Sequence, residues 1–256
     1  MAVPAQRSGR KLSTPLTGAW RTVVPAAGDP HGPLPPLLLA LTVVTGLVDA
    51  FSYLTLGHVF VANMTGNVVF LGFALAGASG FSITASLVAL GAFSLGALAG
   101  GRLSTEAGAN RGRLLAVAGA VEACLVVASV GIAATAGAPG SGVARYVLIV
   151  LLALAMGTQN AAARKLAVPD LTTTVLTLTI TGIFADGRLA GAAAARTGRR
   201  LLSVLAMFLG GLVGALLVLR ASAALAIAVA SIVLLVVAVT AAIRSRTDRP
   251  WIHARG

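Results

Sequence analysis

The sequence predicts an all-α, polytopic bundle of transmembrane helices, with about six full spans, two short or broken polar segments and an internal inverted repeat. Three observations predict it. Of 256 residues, 57% are hydrophobic and only 10% charged, with a mean hydropathy of +0.95. A soluble domain holds about 45–50% apolar and about 25% charged residues, so this chain has too few polar side chains to cover a surface that faces water. The apolar residues fall into eight runs, and the basic residues stand almost wholly between them.

Residues 1–36 carry Arg7, Arg10, Lys11 and Arg21 among many Pro and Gly, the composition of an unstructured basic tail. A cleaved signal peptide fits poorly, because the charged region is long and the next run continues to the length of a span. That run, 37–56, is the first span. The second, 59–79, has a polar cluster near its start. The third covers 83–101, the fourth 113–136 and the fifth 144–163. The sixth, 171–185, is crowded with threonine and short of the roughly 20 residues that a crossing needs. The seventh covers 201–219 and the eighth 222–243, and a basic tail fills 244–256. These runs make one transmembrane domain, 37–243, with halves of about 37–136 and 144–243.

Charge decides how the runs cross. Positive charge sits in the two tails, in 102–113 (Arg102, Arg111, Arg113), at Arg164 and Lys165, and in 188–200 (Arg188, Arg196, Arg199, Arg200). The positive-inside bias draws all five regions to the cytoplasm. Eight simple crossings cannot satisfy that, whereas six can, if the second and sixth runs enter and return. Both termini are then cytoplasmic, and the expected location is a bacterial cytoplasmic (plasma) membrane. Irregular backbone at membrane depth is allowed where protein surrounds it or where it lines a wet cavity.

The halves resemble each other. Gly46-x-x-Asp49-Ala50 matches Gly157-x-x-Asn160-Ala161 at an offset of 111. Thr65-Gly66-Asn67 matches Thr177-Leu178-Thr179 at 112, and Gly96 with Gly100 matches Gly210 with Gly214 at 114. An odd number of crossings per half makes the two copies inverted, a recurrent transporter design.

The candidate substrate- or ion-binding residues are Asp49, Asn63, Thr65, Asn67, Gln159, Asn160, Thr177 and Glu122. A carboxylate at the depth of Asp49 costs roughly 3 kcal/mol to insert and commonly marks an ion or proton path. The competing reading is a hydrogen-bonded packing residue. Asn63, Thr65 and Asn67 can face a solute or cap a helix inside the membrane. The threonines after Gln159 and Asn160 can line one face or bond their own backbone. Glu122 is the other carboxylate at membrane depth, able to pair with a hydroxyl or with Asp49 through a shared proton. Asp186 is placed at the interface with Arg188. The Gly96/Gly100 and Gly210/Gly214 pairs let helices approach closely, either within the chain or in a homo-oligomer.

Other chemistry is not indicated. The single cysteine, Cys124, reads as a small buried hydrophobe, and His31, His58 and His253 share no ligand spacing, so no metal site is expected. No HExxH, GxSxG, Walker A or Cys/His cluster is present, so neither an enzyme nor a cofactor is expected. The net charge of +12 lies in tails and connections, which suits anionic lipid better than nucleic acid. The expected partners are the lipid bilayer and a small-molecule or ion substrate.

The runs Gly46-Leu-Val-Asp-Ala-Phe-Ser-Tyr-Leu-Thr-Leu-Gly57 and Val59-Phe-Val-Ala-Asn-Met-Thr-Gly-Asn67 resemble the signature of the bacterial YoaK-like family of multi-pass membrane proteins. Gly157-Thr-Gln-Asn-Ala161 and Thr173-Thr-Val-Leu-Thr177 resemble its second motif, and the likeness covers roughly 35–243. The resemblance implies an inner-membrane protein of about six spans, from a family of unknown function. The residues themselves suggest a secondary transporter or permease for a small solute, with proton coupling through Asp49. The alternatives are a passive channel and a non-transporting membrane scaffold or assembly factor.

Overall fold

The computed structural model describes residues 15–26, 28–135, 142–171, 173–174, 176–185, 195–246 and 250–253. The regular structure described is helical: α1 (Pro15–Val23), α2 (Leu34–Thr55), α3 (Met64–Leu75), α4 (Ile83–Glu106), α5 (Arg111–Thr135), α6 (Gly142–Leu166), α7 (Leu176–Ala185), α8 (Ala195–Arg220) and α9 (Ala223–Ser245). Six of these, α2, α4, α5, α6, α8 and α9, are long and apolar enough to cross a membrane.

Local chemistry explains several helix ends. Pro35 and Pro36 open α2, where a missing N–H costs nothing. Ser82 and Ser222 cap α4 and α9, each accepting a backbone N–H three residues on, at 3.2 Å. After α2 the chain turns through Gly57 and His58, both left-handed, at φ +83° and +56°.

Helix direction follows from the close approaches. A Cβ added at Gly46 would strike the backbone at Met207 and Gly211, and one at Gly214 would touch Leu47 and Ala50, so α2 and α8 run parallel. The same holds for α4 and α6, where Gly96 lies on Leu154 and Gly100 on Thr158 and Ala161. Gly112 meets Ser245 and Gly119 meets Ala238, so α5 and α9 are antiparallel. Arg145 at the start of α6 donates to the Leu56 carbonyl at 2.8 Å, and Gln159 donates to Thr45 at 2.8 Å. Further along, Arg111 joins the Leu166 carbonyl to His31, so α2 and α6 are antiparallel.

These directions decide which segments cross. Between α2 and α6 lie α4 and α5, and a third crossing by α3 would make α2 and α6 parallel. The parallel alignment of α2 with α8 excludes a crossing by α7 in the same way. Length agrees: the 12 residues of α3 and 10 of α7 extend about 18 and 15 Å, against about 30 Å of hydrocarbon. Neither α3 nor α7 therefore passes from one end of the bundle to the other. The basic regions lie at one end of the bundle, as far as they are described. There His31 meets Arg111, Arg199 donates to the Pro169 carbonyl at 3.3 Å, and Trp251 packs on Gly32 and Gly112. The opposite end holds Leu56, Arg145, and the contact of His58 with the Gly80 carbonyl at 3.0 Å.

Three expectations need correction. Part of the tail expected to lack structure forms α1, packed on α8, with Thr22 buried and 3.5 Å from the Arg199 side chain. The glycine faces offered for a homo-oligomer are filled within the chain, Gly96 and Gly100 by α6 and Gly210 and Gly214 by α2. Cys124 is exposed on α5, on the side turned away from the bundle, and is not a buried hydrophobe.

Candidate functional site

The first polar cluster forms where α2 gives way to the stretch 56–63. Those residues lie beside apolar helices, and the freed peptide groups need partners inside the protein. Asp49, 3% exposed, supplies them: Oδ1 accepts the N–H groups of Val61 at 3.1 Å and Ala62 at 2.9 Å, and Oδ2 accepts the Asn63 amide. Asn67, fully buried on α3, accepts the Phe60 N–H at 2.9 Å and donates to the Phe60 carbonyl. Tyr53, His58, Phe60, Phe70, Phe73 and Phe81 pack ring on ring over the same turn, with Tyr53 and Phe60 stacked at 5.0 Å. Asp49 and Asn67 thus latch a re-entrant loop, and the aromatic cluster covers it.

The second cluster lies at the end of α6. Asn160 donates to the Met156 carbonyl at 2.8 Å and accepts the Thr174 hydroxyl at 2.5 Å. The Asp49–Asn63 and Asn160–Thr174 pairs each span 14 positions. Beyond Thr174 the short helix α7 is tied down by Arg200, which bonds the Gly182 carbonyl and pairs with Asp170 at 2.8 Å.

Each pair borders a cleft. The Asp49 cleft, about 400 Å3, lies between α2 and α8 toward the Leu56 end. The Asn160 cleft, about 950 Å3, lies between α4 and α6 at the basic end. Their walls correspond at eight positions. Asp49, Ala50, Tyr53, Leu54 and Asn63 line the first, and Asn160, Ala161, Arg164, Lys165 and Thr174, each 111 further on, line the second. From the facing helices, Phe93, Ala97 and Gly101 line the second cleft, and Met207, Gly211 and Ala215, each 114 further on, line the first.

The eight residues singled out from sequence do not converge on one cavity. Asp49, Asn63 and Asn67 gather at one end and Asn160 at the other. Gln159 lies between them, 1% exposed, donating to Thr45 and leaving its Oε1 without a partner among the described residues. Glu122 is also 1% exposed, and its Oε1 has no hydrogen-bond partner among the described residues either. It does not share a proton with Asp49, whose oxygens face 61–63. Thr65 and Thr177 are exposed on α3 and α7. Asp186 and Arg188 lie outside the described residues. Sequence reasoning missed the aromatic cover, although four of the eight phenylalanines and one of the two tyrosines fall within 53–81 and so signalled it. It also missed Asp170–Arg200 and Arg145, because nothing in spacing links residues so far apart.

The family model described as "Protein of unknown function (DUF1275)" matches residues 37–240. The chain belongs to this family. The DUF1275 match covers both clefts and reaches every spanning helix. A relative from Bacillus subtilis (strain 168), "UPF0700 transmembrane protein YoaK", is 35% identical over 156 residues, which is 60% of this chain and 68% of the relative. No solved structure matches.

Proposed function

We propose that this DUF1275 protein is a secondary transporter or permease for a small solute, built from two inverted copies of one unit, with its clefts exposed in turn at the two ends. It works without covalent chemistry, and the basic end faces the cytoplasm of a bacterial plasma membrane, as the positive-inside bias favours. Both described tails then lie on the cytoplasmic side.

One observation carries the reading: two clefts, walled by corresponding residues, lie toward opposite ends of the bundle. Element packing supports the duplication. The pairs α2·α8 and α6·α4 correspond, as do α2·α9 and α6·α5, α3·α4 and α7·α8, and α4·α5 and α8·α9, while α5 pairs with α9 across the centre. Such inverted units recur in proteins that open to one side and then the other. Asp49 adds a means of coupling. Ionised, it accepts from Val61, Ala62 and Asn63; a proton on Oδ2 would oppose the Asn63 donor and loosen the loop.

The test uses the protein with Cys124→Ser and one new cysteine at each of two corresponding wall positions, Ala215→Cys and Gly101→Cys. A bulky maleimide is attached at position 215 in sealed vesicles, and reaction at 101 is followed. Alternating exposure predicts that occupancy of one cleft slows reaction at the other, with a pH dependence that Asp49→Asn removes. Two clefts that react independently would point to a passive channel. If both resist labelling throughout, a scaffold is favoured and the transport reading fails.

A further inference from the structure

The two clefts share eight corresponding wall positions but not the same charge. Asp49 at one is Asn160 at the other, while Tyr53 and Leu54 give way to Arg164 and Lys165. The Asp49 cleft is lined by a carboxylate and no cation, and the Asn160 cleft by two cations and no carboxylate.

We propose that the Asn160 cleft binds an oxoanion, a phosphate or carboxylate group carried by a small solute or a lipid headgroup, between Arg164 and Lys165 with the Asn160 amide as a directing donor.

The donor inventory supports this choice. Asn160 spends one Nδ2 hydrogen on Met156 and its Oδ1 on Thr174, which leaves the second N–H. Asn160 and Arg164 are four residues apart, as are Ala161 and Lys165, so both rows run along the cleft wall of α6. Neither cation has an ion-pair partner among the described residues, where Asp170, the acid on the connection after α6, is taken by Arg200. The Ser104 and Thr105 hydroxyls on the facing wall already donate within α4, to Gly100 at 2.7 Å and Gly101 at 3.3 Å, so the cations provide most of the attraction. A volume of about 950 Å3 accommodates a small organic anion or a headgroup together with water. Basic residues at a helix end also anchor a protein at the membrane interface. An anchor needs neither a concave wall nor a free amide N–H beside the charges.

This inference takes from the transport reading only that the cleft is a ligand site, and its test measures binding without movement of solute. The full-length protein in a neutral detergent is titrated with inorganic phosphate against chloride at equal ionic strength, and thermal unfolding is followed. The same measurement is made in nanodiscs of phosphatidylglycerol and of phosphatidylcholine. Phosphate is expected to raise the unfolding temperature, with affinity about tenfold weaker in Arg164→Gln/Lys165→Gln and little changed in Arg164→Lys. Stabilisation by phosphatidylglycerol alone, lost in the double variant, would support the site and identify the headgroup as its source. No stabilisation by either, or stabilisation that survives the double variant, overturns the proposal. Lys165 is exposed, so Lys165→Gln alone keeps the measurement decisive if the double variant does not fold. Loss of binding there, with alternating cleft exposure intact, would separate this proposal from the transport reading.

Discussion

At the scale of single residues, Asp49 closes a backbone that the membrane would otherwise leave unpaired. Asp49→Ala strands two N–H groups and an amide at once, and should cost about 3 kcal/mol or more in thermal unfolding. Asp49→Asn keeps an oxygen for Val61 and Ala62 and should cost about 1 kcal/mol, so function and stability can be read separately. Glu122 gives the opposite expectation. Its buried Oε1 has no partner among the described residues, and Glu122→Met should raise stability by about 1–2 kcal/mol. A lower unfolding temperature would instead show that the carboxylate has a bound partner. His31 sets a pH dependence at the basic end. Burial, then the charges of Arg111 and Arg199, hold its pKa below the ordinary value, against a weaker opposite pull from Asp29. Neutral His31 is therefore favoured in the folded state, so its contribution is complete above about pH 6.5 and declines as the solution is acidified below it. Followed by thermal unfolding from about pH 7.5 down to about pH 5.5, His31→Gln should therefore lose stability less steeply than the unaltered protein. Asp49 and Asn67 were legible as intramembrane polar groups. Their partners were not, because a run of letters shows that Asp49 is costly but not that three donors in 61–63 face it.

At the scale of elements, close helix pairs depend on glycine where another backbone lies against it. Gly96→Val and Gly210→Val would each drive a side chain into a neighbouring carbonyl, from Leu154 or Val43, and should cost about 2 kcal/mol or more if the protein folds at all. Gly91→Ala and Gly131→Ala meet open space on helices and should stabilise by about 0.5 kcal/mol. Thermal unfolding of the four variants separates the two groups. The small-residue pattern made these contacts legible, but not which helix would fill them: Gly96 belongs to α4 and packs on α6, two helices later. The demotion of the second run was legible only from charge, since its apolar length suffices for a crossing. Its break comes from Gly57 and His58 together with the polar latch, a tertiary effect that hydropathy does not measure. Helix α1 escaped notice because Pro and Gly flank it and its support comes from α8.

At the scale of the whole molecule, orientation yields a direct prediction. Reporter fusions at 80–82 and at 188–198 should report opposite sides, with 188–198 cytoplasmic. The same side for both would contradict the inverted arrangement. Composition alone made the membrane class legible, and the matched motifs suggested two halves. The way the halves interlock was hidden, because α2 packs on α8 and α4 on α6, so that each half completes the other. This interlocking has a consequence for biogenesis. Helix α2 leaves the ribosome first among the spans, yet the surface that fits Gly46 belongs to residues 207–211. At about 5–20 residues per second, roughly ten to thirty seconds pass before α8 is complete. During that interval the nascent first half stands in the bilayer with its glycine groove against lipid or an insertion factor. A ribosome that stalls after α6 leaves a fragment that cannot mature, and such fragments should be the preferred substrates of membrane proteolysis.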